Sequence, residues 1–465
     1  MTSTLSPTTR RAFLQRVSRL AVTGAAAPWA LNFAALGEAA AAGASDYKAL
    51  VCVFLYGGND HSNTLVPYDT SSHGRYQSLR PTLAYARPHL SPTVLVPSTV
   101  PLDATGAPRQ YALAPELAPM KALFDAGRMA PLLNVGTLIQ PTTKAQYTAG
   151  SVPLPPKLFS HNDQQSVWQS GATEGAHSGW GGRLADLLLA GNDNATFSCV
   201  NVTSNAVFMT GHQAVQYQVG ADGPQAVSGL AAPLFGSSAA SDALRTLITQ
   251  DRSHLFEAEY NRVTRRAIES EGALNAALAA APVLTTVFPA NNSLARQLRF
   301  VARMISAAGS VGAKRQVFFV SLSGFDHHDS LNDLHPALLS QLGSALSAFD
   351  AAMIELGVSD QVTAFTASDF GRTLTVNNDG SDHGWGGMQF VQGGAVNGQR
   401  YYGTPPVVAH DGIDDVGQGR LLPTTATEQV AATLGRWFGV SDSDLLTVLP
   451  NLANFDAGQR NLGFV

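Results

Sequence analysis

Cysteine and charge are both scarce in this sequence: two cysteines in 465 residues, and 14% Asp, Glu, Lys and Arg together. Two cysteines make no disulfide framework, and no Cys-x-x-Cys pair is present, which excludes thiolate zinc sites and thioredoxin chemistry. Cys52 lies in the apolar run Ala49–Leu55 and Cys199 in Phe197–Val200, so both read as small core residues; a bridge between them stays open. Basic charge is not in excess either. The formal net charge is −5, which argues against nucleic acid as a partner, because phosphate backbones call for clustered Lys and Arg. There is no GxxxxGK[ST], no GxGxxG and no GxSxG, so nucleotide loops and the α/β-hydrolase elbow lack support. Beyond the first residues no stretch reads as long and apolar enough for a stable membrane span.

The first residues read as an address. Arg10-Arg11-Ala12-Phe13-Leu14 is an arginine pair followed by apolar residues. A short Ala- and Leu-rich run comes next, then the small residues Ala39 to Ala42. Charged, apolar, small is the order of a secretory signal, and paired arginines address the twin-arginine route for folded cargo. Residues 1–42 are therefore expected to be a signal peptide, leaving a periplasmic or extracellular protein. Removing them takes away Arg10, Arg11, Arg16, Arg19 and Glu38 and moves the formal charge from −5 to −8.

The remainder, 43–465, reads as a large α/β domain. Ala49–Tyr56 is an unbroken apolar run stopped by Gly57-Gly58-Asn59-Asp60, the pattern of a buried strand. Met129–Val135 reads as a second strand. The last third reads as a βαβ unit, with strands Gln316–Ser323 and Gln361–Ala367 around a helix from Leu334 to Leu356, which predicts neighbouring parallel strands. Residues 191–292 carry few chemical groups and read as an insertion or cap, helical from Ser241 to Ala281. The tetrad Gly-Trp-Gly-Gly occurs twice, at Gly179–Gly182 and Gly384–Gly387, each just after a His.

Chemistry gathers at the strand ends. Asp60, Asp326 and Asp369 each follow a predicted strand, and His328 and His383 lie close behind in sequence. Ligands of open α/β sheets bind beyond the carboxyl ends of the strands. Carboxylates brought together repel one another, and a cation is the ordinary remedy. Mixed Asp and His donors suit zinc, manganese or iron rather than calcium. Ser160 and His161 offer a nucleophile with a polar partner, and Arg372 offers a guanidinium for an oxyanion. Asp capping of the following helices is the structural alternative.

At these residues the chain resembles the secreted bacterial family called domain of unknown function 1501. The matching pieces are the arginine pair, Leu55-Tyr56-Gly57-Gly58-Asn59-Asp60, Phe159-Ser160-His161, Gly324-Phe325-Asp326-His327-His328, Ser368-Asp369-Phe370-Gly371-Arg372-Thr373 and Asp382-His383-Gly384. That family is similar to a distant branch of the alkaline phosphatase and sulfatase superfamily. The resemblance implies an alkaline-phosphatase-like three-layer α/β sandwich with a largely parallel central sheet and a helical insertion. It also implies metal at the strand ends, one or two ions of zinc or manganese, held by Asp60, Asp326, His328, Asp369 and His383. Ser160 stands where the superfamily has its Ser or Thr nucleophile. Asp326 and His328 are closer together than the superfamily's Asp-x-x-x-His. The function expected is metal-dependent hydrolysis of phosphate or sulfate esters of a small molecule or glycan. The alternatives are a non-catalytic envelope protein that binds a partner on the same fold, and a metal-independent serine hydrolase.

Overall fold

A computed structural model describes residues 47–465. The expected signal peptide, 1–42, lies outside the described residues. Ten strands are described: β1 (Lys48–Tyr56), β2 (Leu65–Pro67), β3 (Tyr111–Leu113), β4 (Met129–Gly136), β5 (Cys199–Asn201), β6 (Tyr217–Gln218), β7 (Arg315–Ser323), β8 (Val362–Ser368), β9 (Gly387–Gln392) and β10 (Thr425–Ala426). Eight of them form one sheet in the order β10-β4-β9-β8-β1-β7-β5-β6, while β2 and β3 pair apart as a small antiparallel sheet. All pairings in the large sheet are parallel except those of β9, which runs against both β4 and β8.

β1 lies at the centre because its sequence suits burial on both faces. Ala49 to Leu55 are all buried, as expected of an interior strand of a parallel sheet. Successive side chains point to opposite faces, so the strand divides into two sets. Ala49, Val51, Val53 and Leu55 face a layer made by helices α1 (Ala118–Asp125), α6 (Ser293–Ser306) and α7 (Leu331–Glu355), in one core cluster with Leu123, Leu298 and Leu342. Leu50, Cys52 and Phe54 face α2 (His161–Ser170), α3 (Trp180–Leu188) and α8 (Thr427–Phe438), meeting Trp168, Leu184 and Leu434. The result is a three-layer α/β sandwich around a largely parallel sheet, the class the sequence implies.

Three details differ from the expectations drawn from the sequence, and a fourth settles the open question of the cysteines. β7 and β8 are not neighbours; both pair with β1, so α7 carries the chain across the central strand. The first part of 191–292 supplies β5 and β6 to the sheet edge, and only its later part, with α4 (Ser238–Thr249) and α5 (Leu255–Ala280), stands outside it. α7 is long and apolar enough, by length and composition, to cross a membrane, and half of that stretch is buried in the protein; it passes the test as a core helix does. The two cysteines are free, because β7 lies between them: Cys52 aligns with Phe319 and Cys199 with Val317.

Candidate metal centre at the strand ends

The parallel registers bring three strand ends to one level. Leu55 of β1 aligns with Leu322 of β7 and with Ser368 of β8. The chain leaving β1 turns at Gly57 and Gly58, with φ of +113° and +77°, conformations that a side chain disfavours. A Cβ at Gly57 would stand 2.5 Å from the Asp326 backbone nitrogen. These glycines therefore let the loops after β1 and β7 pack against each other.

Three imidazoles and one carboxylate meet there. His383 Nε2 is 3.0 Å from His161 Nε2 and 2.9 Å from His328 Nε2. Asp326 Oδ1 is 3.2 Å from His328 Nε2 and 3.3 Å from His383 Nε2, and its Oδ2 is 3.4 Å from His161 Nε2. The other ring nitrogen of each histidine is occupied. His161 Nδ1 lies 2.6 Å from Asp369 Oδ2, His328 Nδ1 lies 3.0 Å from Asp382 Oδ1, and His383 Nδ1 lies 2.7 Å from the Phe159 carbonyl. Carboxylates and carbonyls only accept, so each Nδ1 carries a proton, and in the neutral ring each Nε2 then presents a lone pair.

Bare lone pairs about 3 Å apart repel, and a shared cation is the arrangement that makes them favourable. Three imidazole nitrogens and a carboxylate oxygen are a donor set for zinc, with manganese and iron as its neighbours in preference. Ligand atoms of His161, Asp326 and His383 lie within 4.8 Å of one another. A carboxylate or carbonyl behind each ligating imidazole is the usual outer support of such sites. The residues present therefore fit one transition-metal ion.

The electrostatics of the three rings are not alike, since a raised pKa favours a ring proton that an ion would have to displace and a lowered one favours the bare Nε2. Its hydrogen bond to Asp369 outweighs burial and raises the His161 pKa, whereas burial lowers that of His383. Burial would raise the Asp326 carboxyl, but the Arg372 guanidinium, His161 and His328 together hold its pKa below the ordinary value. Asp326 and His328 are each 45% exposed, so the cluster opens to solvent on their side.

The residues singled out in the sequence divide between the cluster and its supports. Asp326, His328 and His383 are in it, joined by His161, expected instead as a nucleophile's partner. Asp369 stands behind His161 in this arrangement, and its Oδ1 is buried without a partner. Its Oδ2 accepts from His161, from Gln165 Nε2 at 2.9 Å and from the Gly57 amide at 3.2 Å, and its side chain is fully buried. Asp60 is withdrawn altogether. Its carboxylate accepts from Arg80 Nη2 at 2.6 Å, Ser381 Oγ at 2.6 Å and the Asn63 amide at 3.0 Å, all buried. Arg372 is no free oxyanion holder. It is completely buried, with Nε on the Gly58 carbonyl, Nη1 on that of Ser381, and Nη2 on the Gly57 carbonyl and on Asp326. Its task is to fix the Asp326 carboxylate. Ser160 occupies the N-cap position of α2 without capping it; its hydroxyl donates to Asp163 Oδ2 at 2.9 Å. Both tetrad tryptophans are packed inside, their indole N–H groups on the carbonyls of Trp168 and Thr137.

Sequence reasoning missed Asp382 and the Phe159 carbonyl as supports. His161 and Gln165 stand one helical turn apart and both reach Asp369, a spacing visible in the sequence. The Phe159 carbonyl carried no such signal, since its direction depends on a backbone φ of +71°.

No curated protein matches this chain significantly. Among solved structures it is similar to Ps i-CgsB in complex with k-i-k-neocarrahexaose, at 9% identity and a TM-score of 0.35, over 86% of this chain and 74% of that one. It is similar also to the lipoteichoic acid synthase LtaP from Listeria monocytogenes, at 8% identity and a TM-score of 0.31, over 89% and 79% of the two chains. The PsFucS1 sulfatase from Pseudoalteromonas sp. matches at 11% identity and a TM-score of 0.32, over 91% and 74%. Over residues 47–449 the sequence matches, and the chain belongs to, the family described as protein of unknown function (DUF1501).

Proposed function

We propose that this protein is an exported, metal-dependent hydrolase of phosphate or sulfate esters. One observation carries the reading: three imidazoles, each anchored through Nδ1, turn their Nε2 lone pairs onto one another and onto Asp326. His161, His328, His383 and Asp326 would hold one divalent ion, zinc or manganese. Such an ion, when bound, polarises an ester oxygen and makes water a stronger acid.

The protein's own groups supply the rest. Asp369, Asp382 and the Phe159 carbonyl keep the three rings in the ligating tautomer, and Arg372 keeps Asp326 ionised. The hydroxyl of Ser160 points at Asp163, a carboxylate placed to take its proton. The attacking oxygen is that of Ser160 or of a water, and replacing Ser160 separates the two. The substrate is an anionic ester on a small molecule or glycan, met in the periplasm or outside the cell.

The test is turnover of a panel of aryl phosphate and sulfate esters by the mature protein, beside His383→Ala and Ser160→Ala. Turnover lost in His383→Ala, with folding intact, supports the reading. Loss also in Ser160→Ala names the serine as nucleophile, and retention there names water. No turnover of any ester by wild type, with the ion present, sinks it. A second reading is a non-catalytic envelope protein that binds a partner. It is favoured by the exposed apolar residues Phe235, Leu255, Phe256 and Tyr260, all between β6 and α6.

A further inference from the structure

We infer that Arg420 is the subsite for the anionic group of the substrate, gripping the phosphoryl or sulfuryl oxygens beside the histidine cluster. The inference rests on the ester-hydrolase reading and supplies what that reading lacks once Arg372 is buried. Arg420 is tied to the cluster at two points. Its Nε donates to the His383 carbonyl at 2.9 Å, and its guanidinium lies over the Phe159 ring, 4.6 Å from the centroid. Phe159 and His383 are themselves joined, carbonyl to Nδ1. Arg420 therefore touches both residues that set one ligand, and Phe159 directly precedes Ser160 in the chain.

What remains of the side chain is uncommitted. Among the described residues neither Nη nitrogen of Arg420 meets an acceptor, and no carboxylate lies within ion-pairing distance. Four arginines near the sheet differ: Arg80, Arg109, Arg128 and Arg372 are each joined to an aspartate. A half-buried guanidinium held over an aromatic ring, with both Nη groups open, is preorganised to bind a tetrahedral oxyanion by two parallel hydrogen bonds. Its backbone is fixed too. The Arg420 amide donates to the Gly417 carbonyl, the Arg420 carbonyl accepts from Val416, and Leu421 bonds Gly386.

The experiment is calorimetric binding of inorganic phosphate and of inorganic sulfate to the full protein as purified and after zinc loading. Arg420→Ala, Arg420→Lys and the surface control Arg400→Ala are measured beside wild type, with ion content determined on every sample. Wild type and Arg400→Ala are expected to bind at least one of the two anions. Arg420→Ala should weaken that binding about 10- to 100-fold with its ion retained. Arg420→Lys, which keeps the charge but not the paired donors, should fall between. If Arg420→Ala sheds its ion, Arg420→Lys decides, since a lysine of full affinity overturns the assignment. Equal affinity in wild type and Arg420→Ala, or no anion binding by wild type, also overturns it. Ion content judges the metal centre separately, so failure of the subsite is distinguishable from failure of the cluster.

Discussion

Asp60 and Asp326 each follow a strand of the same parallel sheet, and they meet opposite fates. Asp60 is enclosed by Arg80, Ser381 and the Asn63 amide, with its side chain 1% exposed. Asp326 is held from behind by Arg372 and stands 45% exposed among three imidazoles. Both have an arginine, yet only Asp326 keeps oxygen available on an open side. A carboxylate whose acceptor positions are all filled from within supports the architecture, whereas one filled from one side only is placed to bind. The two are also linked, since Ser381 gives its hydroxyl to Asp60 and its carbonyl to Arg372. The enclosed pair thus underlies the open cluster.

Asp60→Asn is expected to have the largest effect on stability. It leaves Arg80 buried without its countercharge, at a cost of about 3–5 kcal/mol, read from urea unfolding. Folded Asp60→Asn should keep its metal stoichiometry, and loss of metal without loss of stability would invert the comparison. The sign of the pH dependence is set by the same pair. Although burial opposes it, Arg80 and its neighbours hold the folded Asp60 carboxyl below its ordinary value. Its stabilising contribution is therefore full above the unfolded pKa of about 4 and is lost as pH falls below it. The Asn variant should lose that part of the acid dependence.

Next in size is the support behind the ligands. Asp369→Asn removes the buried carboxylate that orients His161 and should weaken metal binding about 10- to 100-fold in a chelator competition. Asp382→Asn should cost less, because Asp382 is 42% exposed and water can replace it behind His328. Equal effects of the two would mean that burial does not grade the support. The smallest expected effect is that of reductant. Both cysteines are free and separated by a strand, so thermal unfolding should be unchanged by a thiol reagent.

The strands β1, β7 and β8 were legible because each is an apolar run closed by glycine or by an acidic residue, and parallel pairing then aligns their ends without further information. β9 was not legible. Its six residues, Gly-Met-Gln-Phe-Val-Gln, are all buried, yet two glutamines break the apolar run, and it enters the sheet against the common direction. At the site, residue type announced Asp326, His328 and His383, but type alone does not separate a ligand from its support. That Asp369 stands behind His161, and that Asp60 is spent on Arg80 twenty residues later, are matters of which atoms face which. They are decided by loops whose course depends on positive φ at Phe159, Gly57 and Gly58.

The most direct measurement is elemental analysis of protein purified without chelator or metal affinity resin, for wild type, His161→Ala, His383→Ala and Asp60→Asn. The account predicts about one transition-metal ion per wild-type chain, loss of that ion in both folded histidine variants, and retention in folded Asp60→Asn. A wild type that is empty and stays empty after exposure to zinc, manganese or iron, or an ion that survives both histidine changes, would contradict it.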